Sequence, residues 1–128
     1  TSDGEHDEGS TWEAVKAAQK YKLDNLINLI DVNNIQISGH TSDVWPLEHL
    51  KQRYLIQGWK VFEVNGHKIE KIISVIKEAW KAKKPVCILV NTIPGKGVSF
   101  MEDKPEWHGK APNKEEALQA LLELRKND

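Results

Sequence analysis

Short apolar runs alternate along this chain with stretches whose apolar residues return every three or four positions. LDNLINLID closes its apolar run at Asp31 and reads as a buried strand over 26–32. WKVFEV, closed by Asn65-Gly66, and VCILVNT, introduced by Pro85, read as two more strands. Ile69, Ile72, Ile73, Ile76 and Trp80 fall at helical spacing and predict an amphipathic helix over 68–83. Ser10-Thr11-Trp12-Glu13 fits a capping box that opens a helix running to about Lys22. Pro46 suits the first turn of a further helix that ends at Gly58. Asn113 caps a last helix, with Ala117, Leu118, Leu121, Leu122 and Leu124 as its buried stripe. NNIQISGHTSD reads as turn and loop, and PGKGVSFMEDKPEWHGKAP as a glycine-rich loop. Strands that are apolar throughout, alternating with helices, imply an α/β fold. The expectation is a parallel sheet with helices on both faces and right-handed crossovers.

Composition narrows the picture. A chain of 128 residues is at most one domain, and 18 basic against 19 acidic side chains give a net charge of −1. That balance offers no broad field for nucleic acid or anionic membrane. Trp12, Trp59 and Trp80 lack interleaved arginine and read as core or interface aromatics. No apolar stretch approaches the ~20 residues of a membrane span and none reads as a signal peptide, so a cytoplasmic, reducing setting is expected. The single cysteine, Cys87, lies inside an apolar strand and reads as a buried thiol. The first helix follows only a short loop, whereas phosphate-binding loops of this kind normally follow a strand. The chain therefore reads as a fragment, or as one completed by a partner.

Asp3, Glu5, Asp7 and Glu8 crowd the first turn beside two glycines. Helix N-termini attract negative charge, so capping alone accounts for such a cluster. A second reading comes from Asn33, which lies 30 positions after Asp3, about the length of one βαβ unit. If a strand precedes Asp3, the two side chains emerge at the same edge of the sheet, where α/β folds bind ligands. A carboxylate and an amide oxygen are both hard donors and suit Mg²⁺ shared with a phosphate. Gly4 lets the backbone approach a phosphate without a Cβ in the way. Both readings, loop residues and Mg²⁺–phosphate site, stand on the residues alone. His40, His49 and His67 lack metal-ligand spacing and read as surface positions, while His6 stays open. Gly95 and Gly97 flank Lys96 without forming a GxxxxGK[ST] loop.

The run SDGEHDEGSTWEAVKAAQKYKLDNLINLIDVNNIQISG closely resembles the thiamine-diphosphate signature of transketolases, and GKGVSFMEDKPEWHGKAP resembles their segment ending in Trp-His-Gly. The Ser-Asp-Gly opening and GKGVSFME resemble especially the N-terminal subunits of split transketolases. The resemblance covers essentially the whole chain and makes residues 1–128 the C-terminal portion of a diphosphate-binding domain. It implies thiamine diphosphate and Mg²⁺ as cofactors. Asp3 and Asn33 would bind the metal through side chains and Ile35 through its carbonyl. Gly4 would donate its N–H to the diphosphate, and Ile37 would pack near the thiazolium ring. His108 matches a histidine near diphosphate and substrate, and Glu8 an interface acid directed at the partner's catalytic glutamate. The implied activity is two-carbon ketol transfer between sugar phosphates. Implied partners are a second subunit or domain carrying that glutamate and an upstream segment, in a dimer or larger oligomer. Alone, these residues are expected to be inactive. Ser2 stands where many members have glycine. Pro94 stands where they commonly have lysine, so a cationic contact near the cofactor is missing, with Lys96 two residues on. Two other readings remain: a binding or assembly module without catalysis, and another thiamine-diphosphate enzyme such as 1-deoxyxylulose-5-phosphate synthase.

Overall fold

The structure is a computed structural model and describes residues 1–126. A 3₁₀ turn, Gly4–Asp7, leads into α1 (Gly9–Lys20) and then β1 (Ile27–Val32). Two minimal strands follow, β2 (Ile35–Gln36) and β3 (Gly39–His40), then α2 (Thr41–Val44) and α3 (Leu50–Ile56). β4 (Lys60–Asn65), α4 (Ile69–Ala79), β5 (Val86–Asn91) and α5 (Lys114–Leu124) complete the order. β1, β5 and β4 form a parallel sheet in that order, and β2 pairs with β3 as an antiparallel hairpin.

Alternation along β5 divides the core between two faces, as expected for a strand covered on both sides. Cys87 and Leu89 pack with Val15 and Ala18 of α1 and with Leu50 and Tyr54 of α3. Val86 and Ile88 pack on the opposite side with Val64 of β4, Ala79 of α4 and Ala82. The fold is therefore α/β with helices on both faces. Ser2 lies opposite Asp31 in a parallel bridge at the outer edge of β1. The Asp31 N–H donates to the Thr1 carbonyl at 3.0 Å, and the Asp3 N–H to the Asp31 carbonyl at 2.9 Å. Asp3 thus leaves the sheet beside the carboxyl end of β1.

Three local expectations about turns and caps are corrected. α1 starts at Gly9 with Glu8 at its cap and no side-chain capping bond, so Ser10 and Glu13 form no capping box. The reciprocal pair sits instead eight residues earlier, at the same spacing. The Ser2 N–H donates to Glu5 Oε2 at 2.8 Å and the Glu5 N–H to Ser2 Oγ at 3.3 Å. Pro46 does not open α3, which begins at Leu50 behind a left-handed His49. The residue before a proline is pushed out of the helical region, and Trp45, with φ −156° and ψ 98°, ends α2 instead. The region 33–44 holds the β2–β3 hairpin and α2, not loop alone.

The stripe of α4 is Ile72, Val75, Ile76 and Ala79, whereas Ile69, Ile73 and Trp80 are exposed. α5 has the Asn113 cap, with both capping-box bonds to Glu116, but no buried residue. Leu118, Leu121, Leu122 and Leu124 are exposed because both faces of the sheet are already covered by other helices. α5 is tied to the loop after β5 through Glu123, which accepts from the Ser99 N–H at 2.6 Å. The groove left between them, about 480 Å³, is walled by Val98, Met101, Trp107, Ala117, Leu121 and Leu124.

Candidate functional site

The carboxyl ends of the parallel strands are joined by a polar chain. Asp3 caps the 3₁₀ turn, its Oδ1 accepting the Gly4 N–H at 2.8 Å. Its Oδ2 accepts the N–H of Asn34, also at 2.8 Å, so the turn at Asp3 and the turn after β1 meet directly. Asn34 supplies that N–H from a left-handed conformation, φ 60°, which asparagine tolerates better than most residues. Asn33 Oδ1 accepts the Ile35 N–H at 2.8 Å, and its amide donates to Asp31 Oδ2 at 3.0 Å. The Thr92 hydroxyl, one residue beyond β5, donates to Asp31 Oδ1.

Beside this junction opens a pocket of about 330 Å³. Its walls bring together Gly4, Glu8, Ile35, Ile37 and His108, from three separate stretches of chain. Asp3 and Asn33 do not line it; Asp3 is 2% exposed and lies one residue from its wall at Gly4. A Cβ on Gly4 would stand 3.4 Å from Gln36 Cγ, ordinary van der Waals contact with a flexible side chain. Ile35 is buried, while Ile37 at the hairpin tip is 87% exposed. His108 follows the 3₁₀ turn Pro105–Trp107 and is exposed on the far wall. It is shared with the groove under α5, so the two cavities adjoin. Glu8 is exposed at the α1 cap. Lys96 lines neither cavity; Lys104 and Lys110 line the groove.

Burial pushes the Asp3 carboxyl above the usual range, the Asn34, Gly4 and Asn33 amides oppose this, and nearby Asp31 adds to it. Among the described residues the ion pairs are Lys51–Glu63 and Lys110–Glu116, and neither touches Asp3. A carboxylate accepting one N–H on each oxygen keeps lone pairs for a further partner. This donor set therefore fits a hard cation. Among the described residues no cluster of three His, Cys, Asp or Glu groups forms, so a cation here would draw on amide, carbonyl, phosphate or water oxygens beside carboxylate. Such a set suits Mg²⁺ completed by phosphate oxygens and water.

One cluster escapes sequence reasoning. His6 is 1% exposed and hydrogen-bonds Tyr54 of α3 at 2.8 Å, and Asn28 of β1 donates to the same hydroxyl at 3.0 Å. His6 sits among acidic and polar neighbours with no apolar context to signal burial. Tyr54, four residues after Leu50 on a helix, carries the one legible signal.

Residues 1–125 match the family described as transketolase, thiamine diphosphate binding domain. Over 123 residues the chain is 43% identical to one subunit of the apulose-4-phosphate transketolase of Phocaeicola vulgatus, covering 95% of this chain and 44% of that protein. Over 126 residues it is 37% identical to human transketolase, covering 95% of this chain and 19% of that protein. The crystal structure of Campylobacter jejuni transketolase superposes with a TM-score of 0.90 at 34% identity, over 97% of this chain and 20% of that one. The chain thus spans less than half the length of these curated relatives. With a match that runs nearly end to end, the chain belongs to the family of transketolase thiamine-diphosphate-binding domains.

Proposed function

We propose that this chain holds the Mg²⁺–diphosphate half of a thiamine-diphosphate-dependent ketol-transfer site, and that a second subunit or domain supplies the rest. The observation that carries the proposal is the direct bond between the two turns, Asn34 N–H to Asp3 Oδ2, beside a pocket walled by Gly4, Glu8, Ile35, Ile37 and His108. It supports the reading because it joins one buried carboxylate to the adjoining amide turn, one residue from the pocket wall at Gly4.

Asp3 and Asn33 would hold the cation through side-chain oxygens, and Ile35 through its carbonyl. The Gly4 N–H is now directed at Asp3 Oδ1. To serve a diphosphate oxygen, the Gly4 N–H would have to leave Asp3 Oδ1. Thiamine diphosphate, when bound, supplies the carbon nucleophile and electron sink for two-carbon transfer. His108, on the far wall, is placed to donate to a phosphate or sugar oxygen. Ile37, exposed at the hairpin tip, is available as an apolar support for a ring. Glu8 faces solvent at the α1 cap, where a partner's carboxyl could reach it. Sugar phosphates are the substrates this reading implies, in a soluble assembly of two or more chains.

Calorimetric titration of the complete assembly with thiamine diphosphate, with and without Mg²⁺, tests the proposal. Metal-dependent binding that Asp3→Ala and Asn33→Ala each abolish is the expected result. Absence of binding in the unmodified assembly would favour a non-catalytic assembly module and overturn the proposal.

A further inference from the structure

The buried cluster beneath the Asp3 turn has a definite hydrogen-bond direction. His6 Nδ1 lies 2.7 Å from the Ser2 carbonyl, which can only accept, so Nδ1 carries the proton. In the neutral ring Nε2 is then an acceptor, and the Tyr54 hydroxyl, 2.8 Å away, donates to it. The Tyr54 oxygen in turn accepts from Asn28 Nδ2 at 3.0 Å. Every polar atom of this relay is matched, and among the described residues no buried side-chain polar atom lacks a partner. Burial lowers the pKa of the His6 ring from its ordinary value, in agreement with that pattern.

Geometry ties the relay to the turn above it. His6 lies inside the 3₁₀ turn Gly4–Asp7, and its N–H donates to the Asp3 carbonyl at 3.0 Å. Its side chain reaches back to the Ser2 carbonyl, so backbone and ring together bracket Asp3 and Gly4. The Trp12 indole donates to the His6 carbonyl at 2.7 Å, and its ring stands edge-on to the imidazole with centroids 5.5 Å apart. Tyr54 is fully buried and packs edge-on against Trp59, with centroids 5.2 Å apart, on the α3 side of the sheet. A turn at the sheet edge is thereby fastened to the rigid core through one imidazole.

We infer that His6, held by Tyr54 and Asn28, is a positioning residue that fixes the Asp3–Gly4 turn in the geometry required to hold Mg²⁺ and diphosphate. This rests on the site reading given above. His6 touches neither metal nor cofactor; it acts through the Ser2 carbonyl. Loss of a supporting hydrogen bond weakens a metal site without removing a ligand, by roughly 10–100-fold.

The test is the Mg²⁺ affinity of the complete assembly at saturating thiamine diphosphate, read by calorimetry, with the thermal midpoint of the metal-free protein measured alongside. His6→Phe, which removes both ring hydrogen bonds, is expected to weaken Mg²⁺ binding about tenfold. His6→Asn places an amide where Nδ1 stood but leaves Tyr54 unbonded, and is expected to recover part of the loss. His6→Gln places its amide toward Tyr54 and is expected not to. Tyr54→Phe keeps the ring, removes the hydroxyl, and is expected to weaken binding in the same direction. A folded His6→Phe with unchanged Mg²⁺ affinity overturns the inference, as does recovery by His6→Gln equal to that by His6→Asn. If His6→Phe does not fold, Tyr54→Phe decides, and unchanged affinity there overturns it. Asp3→Ala separates the two claims: if it abolishes Mg²⁺ binding while the His6 and Tyr54 variants bind normally, only the positioning role falls. Full Mg²⁺ binding by Asp3→Ala removes the site reading, and the positioning role with it.

Discussion

Cys87 lies in the central strand with none of its surface exposed, and burial pushes its thiol up to about 12. Only the thiolate reacts readily, so a thiol with that environment is inert in the folded protein. Disulfide-exchange reagents at about pH 8, close to the ordinary thiol pKa, are expected to leave Cys87 unmodified in the native chain and to label it once denaturant is added. Rapid labelling without denaturant would contradict the packing described here. The same scale governs Gly66, where a Cβ would stand 2.4 Å from Thr92 Cγ2 and 2.8 Å from Val90 Cγ1. Asn65-Gly66 is legible in the sequence as a strand end. The close approach of that turn to β5 is not, because it depends on which strand lies next door.

At the scale of elements, α5 shows how a local signal and a tertiary one separate. Its Asn113 cap is local and is found as expected, with the Asn113 N–H on Glu116 Oε2 at 2.8 Å and the Glu116 N–H on Asn113 Oδ1 at 2.9 Å. The Asn113 amide, with Lys110 beside it, holds the Glu116 carboxyl below its ordinary value of 4.5. A group depressed in the folded state contributes stability above its unfolded value and loses it as pH falls through the folded one. Protection of the first-turn amides of α5 against hydrogen exchange is therefore expected to hold at neutral pH and to fall in acid, below about 4.5. Glu116→Gln keeps an acceptor and is expected to flatten that acid limb; an unchanged profile would contradict the capping account. The leucine stripe departs from expectation because helical spacing states which residues share a face, not whether any surface is free to cover it. The three parallel strands are legible because continuous apolar runs have few other uses. The hairpin, α2 and the Ser2–Glu5 pair are not, since each is shorter than the window in which periodicity speaks. At the site, the pairing of Asp3 with the turn after β1 is readable from one βαβ spacing. The His6–Tyr54–Asn28 relay joins three elements and leaves no pattern in any one of them.

For the whole molecule, the apolar surface is as telling as the site. Ile56, Trp80 and Leu118 expose 84%, 72% and 63% of their surface, on different elements. On α5, Leu118, Leu121, Leu122 and Leu124 are exposed together on one helix; contiguous apolar surface of that kind ordinarily marks places where other chain packs, and the relatives are more than twice as long as the matched segment. Among the described residues no helix is long and apolar enough to cross a membrane. In the function proposed above, these residues are one part of a larger catalytic body, in which the turn at Asp3 and the turn after β1 grip one divalent cation. The most direct measurement is anomalous diffraction from crystals of the complete assembly grown with Mn²⁺ and thiamine diphosphate. The expected result is a single Mn²⁺ peak at ligand distance from the Asp3 carboxylate, the Asn33 amide oxygen and the Ile35 carbonyl. Cofactor bound with its Mn²⁺ held by other residues would contradict that grip.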